Sequence, residues 1–123
     1  MRRPLALGAL LLLAPSVAFA QAAVANRSDA RCLLSMVAFS SASQEPQAKA
    51  VGKMAVVFYA SRITLRDPSY NFATQLAQLE RTMDGPALQA EAKRCGPPAL
   101  EMLQTLGAAF AANAPQNPPP PKP

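Results

Sequence analysis

The sequence contains no histidine. That absence removes the commonest general base, the usual metal ligand and the side chain that changes charge near neutral pH. Neither a Ser-His-Asp nor a Cys-His constellation can be assembled from this chain. There is no glycine-rich phosphate loop. There is no basic run either: the formal charge of +5 is spread along the chain, so a nucleic-acid partner is not expected. Cysteine is scarce, with only Cys32 and Cys95 and no C-x-x-C. If those two pair, neither a thiolate nucleophile nor a thiolate zinc site is left. No segment has the alternating β-branched character of a strand. Val56-Val57-Phe58-Tyr59 is the one rival, and the helical period through it is the stronger signal. Of seven carboxylates, only Glu80 and Asp84 stand four apart. That spacing suits a two-carboxylate hydrolase, but both lie off the apolar stripe and read as a solvated face near Arg81. The expectation is a protein with no cofactor and no metal that is not an enzyme.

What is present begins with an export pattern. Arg2 and Arg3 are followed by an apolar zone from Leu5 to Ala14, then Pro15 and Ser16, then Ala18-Phe19-Ala20. Charge, apolar core and small residues at Ala18 and Ala20 together form a secretory signal peptide, residues 1–20, cut after Ala20. The alternative is an uncleaved anchor, because apolar residues run on towards Ala25. Cleavage predicts a periplasmic or secreted protein of about 103 residues, one domain, with no membrane contact once the signal is gone.

A domain of that size is marginal without a staple. An oxidising compartment favours pairing Cys32 with Cys95, two free buried thiols being the alternative. The bridge would close a loop of about 64 residues, and chain entropy assigns it roughly 4 kcal/mol.

The rest reads as helix. Residues 21–27 carry no pattern and are expected to be flexible. A first helix is expected near Ser28, capped by Asn26 or Ser28, with Ala30, Leu33, Leu34, Val37 and Ala38 on one face. Pro46 suits the first turn of a second helix running to about Leu65, the most apolar one and the expected centre of the domain. Gly52 inside it costs about 1 kcal/mol against Ala, a cost that a close helix crossing would offset. Asp67-Pro68 predicts the start of a third helix, with Phe72, Leu76, Leu79 and Met83 on one face. Asp84-Gly85-Pro86 precedes a fourth, in which Leu88, Ala92 and Cys95 share a face. Gly96 is expected to cap it, with Pro97-Pro98 forbidding continuation. A last helix would turn Ala99, Met102, Leu103, Leu106 and Phe110 inward. Residues 113–123 hold six of the thirteen prolines and predict an extended tail. The fold class is therefore all-α: a single small domain over residues 28–112, four to five helices stapled by one disulfide.

Phe58-Tyr59-Ala60-Ser61-Arg62 places an arginine on an apolar face, where an unpaired charge is expensive. One reading makes Tyr59 and Arg62 a partner or anion contact. The other pairs Arg62 with a carboxylate such as Asp67, or lets it snorkel at the helix end. An early Cys, an aromatic-rich central helix with Gly52, and a late Cys before a final helix resemble small periplasmic α-helical proteins, the Hde-type acid-stress chaperones and the Rap-type immunity proteins. That resemblance covers residues 28–112 and implies a Cys32–Cys95 bridge. The expected function is non-enzymatic binding of another periplasmic protein, as an inhibitor, immunity or stress factor, with a homodimer left open. Acid-stress protection is the second reading. Without histidine its trigger would be carboxylate protonation at about pH 4 and below.

Overall fold

The computed structural model describes residues 14–113. Residues 1–13 of the expected signal and residues 114–123 of the proline-rich tail lie outside the described residues. Four helices follow in order: α1 Ala14–Ala42, α2 Pro46–Arg66, α3 Phe72–Glu80 and α4 Gly85–Ala112. No strand occurs among the described residues. Cys32 and Cys95 form a disulfide with Cα atoms 5.4 Å apart, tying α1 to α4.

α1 is the axis of the domain, not α2 as the hydropathy suggests. It packs against all three other helices. From Asp29 to Met36 it is buried on nearly every side, with Ala30, Cys32, Leu33, Leu34, Ser35 and Met36 each under a tenth exposed. The one-faced stripe read from the sequence is thus too narrow. Ser35 sits in this interior because its hydroxyl donates to the Cys32 carbonyl at 2.8 Å, which satisfies it locally. α2 buries a single face, Gly52, Ala55, Tyr59 and Ile63. Three- and four-residue steps keep those positions in line along the helix. Pro46 takes the first helical position, as its fixed φ favours. At Gly52 a Cβ would stand 2.9 Å from the Ser40 Cβ and 3.2 Å from the Ser40 Cα. Only glycine lets α1 and α2 approach this closely.

The helix boundaries differ from expectation at three places. α1 is already helical at Ala14, so residues 21–27 are not a flexible lead-in and neither Asn26 nor Ser28 is a cap. Asn26 is buried and accepts from Arg66, which gives this patternless stretch a tertiary partner. Asp67-Pro68 does not start a helix. The Asp67 side chain accepts from the Ser69 N–H at 3.0 Å and hydroxyl at 2.6 Å, and its carbonyl accepts from the Tyr70 N–H at 3.1 Å. That is a turn, with Pro68 in the position its φ prefers. α3 starts four residues on, capped by Asn71, whose side chain accepts from the Thr74 N–H at 3.0 Å.

The third difference is the largest. The expected fourth and fifth helices are one, and Pro97 and Pro98 lie inside it. Each proline deletes the N–H that would bond the carbonyl four residues back, at about 3 kcal/mol in a helix interior. Cys95 and Ala99 straddle the pair one turn apart, and both are 1% exposed. The prolines face solvent on the opposite side. Burial, the disulfide and a hydrogen bond to Cys95 hold the backbone on course across the defect. Gly96 has no positive φ and caps nothing. Beyond Ala99, Met102 and Leu103 are half-buried, whereas Leu106 and Phe110 are exposed rather than inward.

Candidate functional site

Two ionic clusters flank the disulfide. In the first, Asp29 on α1 is buried and faces two arginines from α2. Arg62 Nε lies 3.1 Å from Asp29 Oδ2, and Arg66 bonds both that oxygen and the Asn26 side chain. The Arg62 guanidinium also sits 5.3 Å from the Phe58 ring centre and 5.9 Å from that of Tyr59. Cation–π attraction and the ion pair are therefore what hold an arginine on this face. Its partner is Asp29, not Asp67.

Tyr59 is an interior residue and not a surface contact. It is 2% exposed, and its hydroxyl donates to the Cys95 carbonyl at 2.6 Å. It cannot meet a partner at the surface. It stands against Phe58 edge-on, ring centres 4.9 Å apart. Burial pushes its phenol above the ordinary tyrosine value, with Arg62 acting in the opposite sense. Tyr59 and Arg62 are thus brought together as expected, but as a tie between α1, α2 and α4. Arg62 alone keeps a half-exposed edge.

In the second cluster Glu91 bridges Arg31, at 2.7 Å, and Arg94, at 2.6 Å. Arg94 Nη2 also reaches Cys32 Sγ at 3.3 Å. Ligand atoms of Cys32, Glu91 and Cys95 lie within 4.8 Å of one another, the spacing of a metal site. Both sulfurs are committed to the disulfide and both Glu91 oxygens to arginines, so this cluster holds the helices together. Glu80 and Asp84 do not form a carboxylate pair facing a cleft. Both are exposed, and Asp84 caps α4 by accepting from the Ala87 N–H at 2.9 Å.

The surface features with the right shape for binding are apolar. A groove of about 530 Å³ lies between α1, α2 and α4, with Met36, Phe39, Val51, Ala55, Pro97 and Leu100 in its walls. Lys93 is its single charged lining residue. A second groove of about 330 Å³ runs between Met54, Val57 and Phe58 of α2 and Met102, Leu103 and Leu106 of α4. Neither is apparent from the sequence. The exposed Met54, Val57 and Leu100 fit a helical stripe as well as buried residues do, and only the crossing of α2 and α4 decides which side is open.

Fold and site together define a disulfide-stapled all-α domain with open apolar grooves. The chain matches no family model, no curated protein and no solved structure. Among the described residues no helix is long and apolar enough to cross a membrane. The intramolecular disulfide is consistent with an oxidising compartment.

Proposed function

We propose that this is an exported, non-enzymatic binding protein that receives an amphipathic helix of a partner protein in the groove between α1, α2 and α4. One observation carries the reading: a cavity of about 530 Å³ walled by apolar side chains and open to solvent. Apolar helix faces are the usual occupants of such grooves. The charge in its wall selects the partner. Lys93 lines it and forms no ion pair among the described residues. A lysine in an otherwise apolar wall favours a helix that carries an acidic residue beside its apolar face. Proline at 97 also leaves the Lys93 carbonyl without its usual donor four residues on, an acceptor at the groove wall. Export is supported by the signal pattern and by the disulfide.

The test places a photo-crosslinking side chain at Leu100 in the exported protein, with Gln47 as the control position. The reading expects one protein captured from Leu100 only, through an apolar segment with an acidic residue beside it, and lost when Phe39 is changed to Glu. Capture of a second copy, or of nothing, overturns it. Acid-stress protection is the second reading, favoured by the uncovered apolar end of α4. Client aggregation at pH 2–3, with and without the protein, separates the two.

A further inference from the structure

The cleft between α1 and α3 differs in kind from the apolar grooves. It encloses about 310 Å³, and its lining is mainly polar: Arg27 and Arg31 from α1, and Tyr70, Gln75, Gln78 and Thr82 from the α3 side. Arg27 and Arg31 are one turn apart, so both guanidinium groups fall on one face. Arg27 is exposed and forms no ion pair among the described residues. Arg31 gives Nη2 to Glu91, yet its Nε–H is buried with no acceptor at all. A buried donor without a partner is rare in folded proteins, because it forfeits its hydrogen bond to water and gains none in return. Thr82 already donates its hydroxyl to the Gln78 and Leu79 carbonyls. Burial raises the Tyr70 phenol above its ordinary value, partly opposed by the nearby Arg27, so this hydroxyl stays a protonated donor. The one carboxylate bonded to a lining residue, Glu91, is shared between Arg31 and Arg94. The exposed Arg27, the half-exposed Arg31 guanidinium and the Tyr70 side chain therefore line one concave space of ligand size.

We infer that this cleft binds a small molecule through an oxyanion group, phosphate or carboxylate, held by Arg27 and the solvent-facing edge of the Arg31 guanidinium, with Tyr70 and the two glutamines around it. Planar guanidinium donors match such oxygens in pairs. The concavity favours a small molecule over a flat protein surface, and the absence of unpaired acids in the lining disfavours a cation. This site is separate from the helix-binding groove, and neither proposal depends on the other.

The purified, oxidised protein is titrated with inorganic phosphate and, separately, with succinate, at an ionic strength held constant with chloride. Calorimetry gives the affinity, and NMR follows the Arg31 Nε–H resonance. Saturable binding of at least one probe is expected, with that resonance moving along the same isotherm. Arg27→Gln should weaken binding at least tenfold while leaving the unliganded melting temperature in place, since Arg27 supports no ion pair. Binding of phosphate alone, succinate alone or both assigns the group recognised. If neither probe saturates, or if Arg27→Gln binds like the parent, the site does not exist; a protein carboxylate as the true occupant would give the first of these results.

Discussion

Residues 29–36 of α1 and residues 99–110 of α4 are both helical and mostly apolar, yet one stretch is the core and the other is mostly surface. α1 is covered from three sides by α2, α3 and α4. α4 beyond Ala99 meets only part of α2, and Leu106 and Phe110 are 44% and 74% exposed. Apolar content therefore does not determine burial. What does is how many elements the chain folds back onto a segment, and here the disulfide at Cys95 fixes where that coverage ends. The contrast fits the proposed function: a covered half supplies rigidity and an uncovered half supplies contact area.

The largest loss is expected at the bridge. Replacing Cys32 and Cys95 with Ala should destabilise the domain by about 4 kcal/mol, from loop entropy for a sequence separation of 63. Urea unfolding measures it. A loss under 1 kcal/mol would mean that helix packing alone holds α1 against α4. Tyr59→Phe is the next in size. It removes the buried hydroxyl bond to the Cys95 carbonyl that ties α2 to α4 and should cost about 1 kcal/mol.

Tyr59 also gives the stability a pH dependence. Its phenol is raised in the folded state, chiefly by burial, so above about pH 10 the unfolded chain loses the proton first. Stability is then full below that pH and falls as pH rises through it. Tyr59→Phe should flatten that fall, leaving the part due to Tyr70, whose phenol is raised in the same direction. An alkaline melting series reads the difference. The smallest effect is expected at the other region. Leu106→Ser with Phe110→Ser should change stability by no more than about 0.5 kcal/mol, since neither position is buried. A loss several times larger would show that the end of α4 is covered in solution.

Much of the architecture is legible in the residues. The helical class, Pro46 at the start of α2, a helix beginning at Asp84-Gly85-Pro86 and the cysteine pair act locally or by simple count, and each is found at its expected place. Gly52 is legible as a crossing point because a glycine in the middle of an apolar helix is a local cost that close packing offsets. The misreadings share a cause. Pro97-Pro98 is a strong local stop, but Cys95 and Ala99 are buried on the face opposite the rings, and that tertiary gain overrides it. Asp67-Pro68 fits both a helix start and a turn, and Ser69, with two donors to one carboxylate oxygen, selects the turn. Residues 21–27 lack an apolar period because their anchor is polar, Asn26 to Arg66. Of the site, Arg62 is visible as an anomaly and its partner Asp29 is not, since 33 positions separate them in the chain. The orphaned Arg31 Nε–H leaves no trace in the sequence.

The Cys32–Cys95 bond has a mechanical consequence. Tension applied to the two ends of the chain runs along α1 to Cys32, crosses the bridge and leaves along α4 from Cys95. α2, α3 and the intervening turns carry none of it. A contour length of about 220 Å, from 63 residue steps, is thereby locked away from extension until the bond is reduced.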